Sequence, residues 1–151
     1  MTKKEPLIDG PCPVARSVDL IGDRWSLLIV RDAFDGMRRF TDFQRNLGVA
    51  RNILADRLRR LVEAGILVAQ PTAGGGAYLE YVLTARGERL FPVVVALRQW
   101  GEGELFAPGE AHSDLVEKKT GRPLARMAPV GKDGNLLAPG ETEVRKLPRQ
   151  G

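Results

Sequence analysis

The chain has 151 residues, of which 43% are hydrophobic and 28% are charged, and its formal net charge is +4 with a pI near 9.6. These totals are typical of one ordinary globular domain with an appendage, and no apolar run is long enough to cross a membrane. The first ten residues contain two lysines without an apolar stretch after them, so we expect no signal peptide and a cytoplasmic protein. The single cysteine, Cys12, excludes an internal disulfide.

Two helices are predicted before residue 40. Residues 13–22 have apolar side chains at helical spacing, and Pro13 suits the first position of a helix. A second helix is predicted from Arg24 to Phe34, with an apolar stripe that includes Trp25, and Gly36 is expected to end it.

A third and a fourth helix are predicted in close succession. Residues 40–47 have apolar side chains at steps of three and four, with Thr41 or Asp42 as the expected N-cap. The fourth helix is predicted from near Ala50 to Ala64, and a tight turn that contains Gly48 separates it from the third. Two helices joined by such a turn form a helix-turn-helix, with the fourth helix as the recognition helix.

The hydrophobic period then changes from helical to alternating. Strands are predicted from Ile66 to Gln70 and from Tyr78 to Leu83, joined by a tip that contains three consecutive glycines. A hairpin directly after a helix-turn-helix is a wing. Thr84 is expected to cap one long helix that reaches about Phe106, because Pro92 interrupts the hydrogen bonding of a helix without having to end it.

The long helix and the tail complete the predicted organisation. The helix is apolar on more than one side between Leu90 and Trp100, and a second copy of the chain is the simplest cover for the side that the core does not use. Deep burial within one subunit is the alternative. The tail after Ala107 has five of the ten prolines, and glycine- and proline-containing turns separate its short apolar pieces, 124–130 and 136–137. This pattern predicts a small β-rich appendage of short strands or a loosely ordered arm.

The predicted fold is therefore mainly α with a small β component. It has an N-terminal arm (1–11), a winged helix-turn-helix domain with a long C-terminal dimerisation helix (12–106), and a β-rich C-terminal extension (107–151).

Arginines are concentrated on the helix-turn-helix. From Arg38 to Arg60 seven arginines stand against two aspartates, so this stretch has a net charge of +5, more than the whole chain. Such a concentration is the electrostatic footprint of a surface that binds nucleic-acid phosphates. The alternative is a solvated helical face.

At 100° per residue the fourth helix divides into two faces. The apolar face, for the scaffold, consists of Leu54, Leu58, Leu61 and Val62. The predicted reading face consists of Asn52, Asp56, Arg59 and Arg60. Asparagine can bind adenine through two hydrogen bonds and arginine can do so with guanine, whereas Asp56 can accept from cytosine or pair with a neighbouring arginine.

Further contacts with DNA are assigned around this helix. Arg51, in its first turn, is placed for a phosphate or a base, and Arg38 and Arg39 are placed for phosphates. For Arg57, a structural ion pair on the scaffold side is at least as well supported as a contact with DNA. Tyr78 can touch a sugar or a phosphate, although the wing tip has no arginine or lysine.

Four strings occur in the order of a known family: CPVARSVDLIGDRW, LLIVRDAFDGMRRFTDFQRNLGV, ILADRLRRLVEAGIL and LEYVLTARG. They fall within residues 12–104 and resemble the HxlR-type regulators, which are relatives of the MarR group. The resemblance implies a homodimeric winged helix on a pseudo-palindromic DNA operator, with the terminal helices forming the dimer.

The chain also departs from this family at several positions. Ala50 stands where the family usually has a serine, and Gly76 and Tyr78 lie where its wing commonly has proline and arginine. Some members have cysteine pairs in the tail that hold zinc. The corresponding turns here, at 120–121 and 131–134, have no cysteine, so no metal or other cofactor is expected.

Cys12 is a candidate redox sensor. It precedes Pro13 at a predicted helix N-terminus with Arg16 one turn on, which is an electropositive position. Some members of the family sense oxidants or electrophiles through a cysteine at this place. The alternative is a small residue that packs against the dimer partner.

No catalytic constellation is present, so we do not expect an enzyme. The single histidine, His112, is 100 positions from Cys12, and no phosphate loop or nucleophile elbow occurs. The predicted function is a DNA-binding transcriptional regulator with a small-molecule or oxidant effector. The alternative is a winged-helix module for protein–protein contact or for binding a small ligand. Residues such as Trp25, Phe91 and Trp100 would line the site of an effector.

Overall fold

The computed structural model describes residues 10–148, so the first nine residues of the predicted N-terminal arm lie outside the described part. The described chain divides into two compact units, one up to Val94 and one from Val95. The helices and strands are, in order, α1 (Pro13–Ile21), α2 (Arg24–Phe34), α3 (Phe40–Leu47), α4 (Arg51–Glu63), β1 (Leu67–Pro71), β2 (Leu79–Leu83), α5 (Ala85–Glu88) and α6 (Phe91–Glu104), followed by a 3-10 turn at Pro139–Glu141.

The first two helices begin at residues whose side chains cap them. The Sγ of Cys12 accepts a hydrogen bond from the backbone N–H of Ala15 at 3.4 Å, and Pro13 follows at the first helical position. A carboxylate oxygen of Asp23 accepts from the N–H of Ser26 at 3.0 Å. These bonds satisfy amide groups that a helix start otherwise leaves without a partner.

The core of the first unit is formed by α2, α3, α4 and the segment that leads into the wing. Its fully buried apolar side chains are Ile29, Val30, Phe43, Leu54, Leu58, Leu61 and Leu67. The three leucines of α4 are members of the predicted scaffold face, and Val62 packs half-buried beside them. The apolar half of the helical wheel of α4 is thus confirmed.

A carboxylate is buried within this apolar core. Asp32 has no exposed surface, and its Oδ1 accepts two hydrogen bonds from the guanidinium of Arg31, at 2.8 and 3.0 Å. Its Oδ2 accepts from the side-chain amide of Asn46 at 2.9 Å, so the carboxylate joins α2 to α3. Asp32 is not among the residues that the sequence pattern indicated.

The wing is an antiparallel hairpin in which Leu67 pairs with Leu83 and Pro71 with Leu79. The predicted hairpin is confirmed, with each strand beginning one residue later than expected. The segment just before α3 pairs with the free edge of β2. Arg39 forms a bridge with Glu80, and the carbonyl of Arg38 accepts a hydrogen bond from the N–H of Tyr81. This pairing fixes the start of α3 against the wing.

The single long helix expected from Thr84 to about Phe106 is wrong, because the chain forms two helices with a turn between them. Thr84 does cap the first, α5, by accepting from the N–H of Gly87 at 3.0 Å. Helix α6 begins at Phe91, so Pro92 lies in its first turn. A proline ring clashes with the carbonyl four residues earlier, which here belongs to Glu88, so proline kinks or breaks the interior of a helix but fits its first turn.

The extension is not the β-rich appendage that its composition predicted. Among residues 107–148 the only β pairing consists of two isolated bridges, Val116 with Pro123 and Val130 with Leu136. Within the second unit, the side-chain amide of Gln99 donates to the carbonyl of Ala125 at 3.1 Å and its oxygen accepts from the N–H of Met127 at 2.7 Å. Proline has no N–H group to donate to a β-ladder, and glycine weakens the interior of a strand.

Candidate nucleic-acid interface

The outward face of α4 is polar, and it lies opposite the three buried leucines. The side chain of Asn52, in the first turn, is exposed and has no hydrogen-bond partner among residues 10–148. Arg59 and Arg60, in the last turns, are exposed as well. The structure therefore places three members of the predicted reading face on the accessible side of one helix.

Asp56 is the fourth member of that face, and its carboxylate is shared by three arginines. Oδ1 is 2.8 Å from Arg59, and Oδ2 is 2.6 Å from Arg57 and 3.0 Å from Arg60. The hydrogen bond from Arg59 and the charges of these arginines hold the pKa of the Asp56 carboxyl below its usual value. Of the two roles considered for Asp56, pairing with arginines is the one formed in the absence of DNA.

Arg57 has the structural role that was the alternative to a DNA contact. Its Nε donates to the N-cap carboxylate of Asp23 at 2.9 Å, and its side chain is 23% exposed. The hydrogen bond with Asp23 also raises the pKa of Arg57. Burial alone would raise the pKa of Asp23, but the hydrogen bonds from Ser26 and Arg57 outweigh burial and lower it. This pair fixes α4 to the start of α2.

An open pocket of about 540 Å³ lies where the starts of α3 and α4 face the wing. Its lining comprises Arg39, Phe40, Thr41, Arg51, Ala77, Tyr78, Leu79 and Tyr81. The guanidinium of Arg51 lies 5.0 Å from the centre of the Phe40 ring, a cation–π contact that orients its charge. Within the described residues, neither Arg39 nor Arg51 has a carboxylate within 4.0 Å, so both positive charges remain available to an anion.

The helix starts beside this pocket have no side-chain cap. Helix α3 begins at Phe40 with Arg39 as its N-cap residue, so the predicted cap by Thr41 or Asp42 is wrong. Because Arg39 pairs with the wing in extended conformation, the helix starts earlier than the polar residues suggested. Helix α4 begins after Ala50, which has no oxygen on its side chain. The first amide groups of both helices can therefore bind an anion.

The remaining predicted contacts differ in what surrounds them. Arg38 is exposed, but its guanidinium lies 3.7 Å from the carboxylate of Glu80, so part of its charge is compensated. Tyr78 is exposed at the rim of the pocket. Glu80 was missed by sequence reasoning, because nothing in the local pattern indicates that the segment before α3 pairs with the wing.

Cys12 and His112 were the two residues considered for other chemistry. Cys12 is exposed and its sulfur only caps α1. In the second unit, the imidazole of His112 lies 3.0 Å from the carbonyl of Ser113 and 5.0 Å from the ring centre of Phe106. In the described part of the chain, no three His, Cys, Asp or Glu side chains are grouped so that they could hold a metal ion.

Of the three residues suggested for an effector site, Trp25 and Phe91 pack against neighbouring side chains of the first unit. Trp25 packs half-buried against the core with Arg24 over its ring, and Phe91 lies 5.3 Å from Phe34 between ring centres. Trp100 is exposed in the second unit. An effector site among these residues stays a prediction. No described helix has the length and apolar character that a membrane span requires.

Comparison with known proteins identifies the family. The model of the HxlR-like helix-turn-helix family matches residues 20–107. An uncharacterised HTH-type transcriptional regulator of Mycobacterium tuberculosis is 46% identical over 95 residues, which are 63% of this chain and 60% of that protein. A regulator of the same description from Mycobacterium bovis matches equally well. The chain thus spans about 60% of the length of these curated relatives.

Two solved structures extend the comparison. PA1607, a candidate transcription factor, is 53% identical with a TM-score of 0.88 over 92% of this chain and 97% of that one. The redox regulator HypR in its reduced form is 30% identical with a TM-score of 0.58 over 62% of this chain and 94% of that one. Because the family model covers more than half of the chain and the helix-turn-helix and wing lie within its match, the protein belongs to the HxlR-like helix-turn-helix family.

Proposed function

We propose that the protein is a transcriptional regulator that binds an operator in duplex DNA. The observation that carries this proposal is the division of α4 into a fully buried apolar face and an exposed face with Asn52, Arg59 and Arg60. A helix with this division can lie in the major groove and present its side chains to base edges while its scaffold stays folded. Action on DNA agrees with the cytoplasmic location expected from the sequence.

The pocket between α3, α4 and the wing supplies contacts with the DNA backbone in this proposal. Arg39 and Arg51 are cations without a carboxylate partner in the described structure, and the uncapped starts of α3 and α4 lie beside them. Phosphate oxygens suit both guanidinium groups and free amide groups. Such contacts position a protein on the duplex, and they do not distinguish sequences.

A homodimer is the second element of the proposal. Helix α6 exposes Val93, Leu97 and Trp100, the latter two to 50% and 60%, and α1 exposes Val14 and Val18. Apolar side chains in helical rows are characteristic of an interface between subunits. A two-fold dimer presents two recognition helices to half-sites about one helical turn, or 34–36 Å, apart, which predicts a pseudo-palindromic operator.

Selection and gel-shift measurements test the proposal. A pool of random duplexes of about 30 base pairs, or about three helical turns, is enriched by repeated binding to the wild-type protein. Enrichment of one inverted repeat is expected, with binding that weakens steeply as salt rises. Failure of every duplex to bind at low salt would contradict DNA binding and favour the alternative, a winged-helix module for protein or ligand contact.

Variants distinguish contacts with base edges from contacts with the DNA backbone. We expect Asn52→Ala to weaken binding to the selected operator while binding to a scrambled duplex stays unchanged, because base contacts confer sequence preference. Arg39→Ala and Arg51→Ala should weaken both and lower the salt slope by about one each. Arg126→Ala, which removes an equal charge from the extension, is the control. Equal behaviour of all four variants would contradict the assigned interface.

Regulation by oxidants through Cys12 is a second proposal. Its support is an exposed thiol at a helix start and the similarity to HypR, which is described as a redox regulator. Diamide is expected to lower operator affinity of the wild type and to leave Cys12→Ser unaffected. Retention of full affinity by the oxidised wild-type protein would exclude this role.

A further inference from the structure

One carboxylate lies within the basic outward face of α4, and it is bonded to three guanidinium groups. The contacts of Asp56 with Arg57, Arg59 and Arg60 are 2.6, 2.8 and 3.0 Å long. The side chains of Arg59 and Arg60 are both 58% exposed, so these ion pairs are open to solvent on the face proposed to bind DNA. A phosphate that approaches this face meets a like charge as well as two arginines.

The three arginines differ in whether they also pair with a second carboxylate. Arg57 is also bonded to Asp23 at 2.9 Å, and Arg59 is also bonded to Glu63 at 2.9 Å. Arg60 has Asp56 as its only carboxylate partner within residues 10–148. Removal of the charge of Asp56 would therefore leave Arg57 and Arg59 paired and would release Arg60.

The ion pairs are suited to exchange. Exposed pairs contribute little net stability because water competes for both charges, so a new partner can replace one at small cost. Asp56 can accept a hydrogen bond from the exocyclic amine of cytosine. The phosphates and sugars of the DNA backbone have no such donor. A base edge can thus satisfy the carboxylate and free the arginine, whereas the DNA backbone alone cannot.

We propose that Asp56 is a specificity-determining residue, which withholds Arg60 from the phosphates of unrelated duplexes and releases it when a base edge of the operator replaces the guanidinium. This inference rests on the proposed function and deepens it, because it names the residue that makes the wrong duplex unfavourable. Discrimination is a difference between two affinities, and a penalty on the wrong partner increases it as effectively as a new contact with the right one.

The test compares the selected operator with a scrambled duplex of the same length and composition. We expect Asp56→Asn to bind the scrambled duplex about threefold to tenfold more tightly and to increase the salt slope on it by about one, because one further phosphate is contacted. The operator gains less, so the ratio of the two affinities falls. The double variant Asp56→Asn with Arg60→Gln should bind the scrambled duplex as the wild type does.

Glu63→Gln is the matched control, since it removes the same charge from the same helix while Arg59 keeps its bond to Asp56. It should change both affinities by less than about twofold. A gain in Glu63→Gln as large as that in Asp56→Asn would reduce the effect to net charge and overturn the inference. An unchanged affinity ratio in Asp56→Asn would also overturn it.

Arg60→Gln gives an independent measurement that does not require Asp56 to be changed. It should weaken binding to the operator severalfold and leave the scrambled duplex unaffected, and an equal loss on both would overturn the inference. If the wild type binds no duplex, the proposed function itself fails. If the wild type discriminates and these variants discriminate equally well, only the role of Asp56 fails.

Discussion

Asp32 illustrates how a single buried carboxylate can organise a core. It replaces apolar packing at the junction of α2 and α3 with three hydrogen bonds, two from Arg31 and one from Asn46. A buried charge is tolerated only when it is paired and hydrogen-bonded, and both oxygens of Asp32 meet that condition. The guanidinium of Arg31 reaches solvent, since its side chain is 38% exposed, so the pair is not sealed on both sides.

Asp32→Ala is expected to lower the free energy of unfolding by about 2–3 kcal/mol, because hydrogen bonds to a charged group are lost and Asn46 is left without its partner. Urea denaturation followed by circular dichroism measures this loss. Asp35→Ala, at the exposed end of the same helix, is the control and should change stability by less than about 0.5 kcal/mol. Equal effects of the two substitutions would contradict the role of Asp32.

The lowered pKa of Asp23 predicts how stability depends on pH. A carboxyl whose pKa is lower in the folded state stabilises the fold above its unfolded pKa, about 3.9, and loses that contribution as pH falls through the folded value. Asparagine keeps the helix cap but has no charge for Arg57. Asp23→Asn should therefore be less stable than the wild type at pH 7, and the difference should shrink below about pH 3.9.

Urea midpoints measured at about pH 7, 5 and 3 test this prediction. Asp23→Ala should lose about 1 kcal/mol more than Asp23→Asn at every pH, because alanine cannot accept the N–H of Ser26. A constant difference between Asp23→Asn and the wild type over this range would show that the charge has no part in folding stability.

At the scale of elements, the two helices of the helix-turn-helix differ from their neighbours in having no side-chain cap. Helices α1, α2 and α5 are capped by the side chains of Cys12, Asp23 and Thr84. The N-cap residues of α3 and α4, Arg39 and Ala50, form no such bond. Uncapped amide groups lower the stability of a helix but are available to a phosphate. The proposed backbone contacts and the missing caps thus occur at the same two helix starts.

Ala50→Ser is expected to raise the free energy of unfolding by about 0.5–1 kcal/mol. The backbone of Ala50 has φ −60° and ψ 142°, the extended conformation of an N-cap residue, so a serine hydroxyl can accept an amide N–H of the first turn. Thermal melting measures the gain. Ala50→Val, which has no oxygen, serves as the control, and a gain with valine as large as that with serine would contradict capping.

At the scale of the whole molecule, the apolar rows on α1 and α6 predict association. Leu97→Glu places a charge in the row on α6, and we expect it to convert the proposed dimer to a monomer, as light scattering coupled to gel filtration would show. Operator affinity should then fall by at least about tenfold, because two linked half-site contacts become independent. Val144→Glu, at an exposed position in the extension, is the control. A wild-type protein that is monomeric at micromolar concentration would contradict the dimer.

The helix-turn-helix and the wing could be predicted from the sequence because they follow from local periodicity. The bounds of α2 and α3 are those that the sequence predicted. The buried leucines of α4 recur every three or four residues, and that spacing fixes which side of the helix is apolar. The break before α6 was missed because a proline can kink a helix or begin one, and the local pattern is the same. The extension does not form the predicted strands, because short apolar pieces between turns do not specify strand partners.

The outward face of α4 shows most clearly what the sequence determined and what the tertiary structure decided. Helical spacing alone placed Asn52, Asp56, Arg59 and Arg60 on one side of the helix. The fold decided which of the arginines keep a free charge, because Arg57 pairs with Asp23, which is 34 positions away, and the segment around Arg39 pairs with the wing. Periodicity acts over a few residues, whereas ion pairs depend on side chains that only the folded chain brings within about 4 Å.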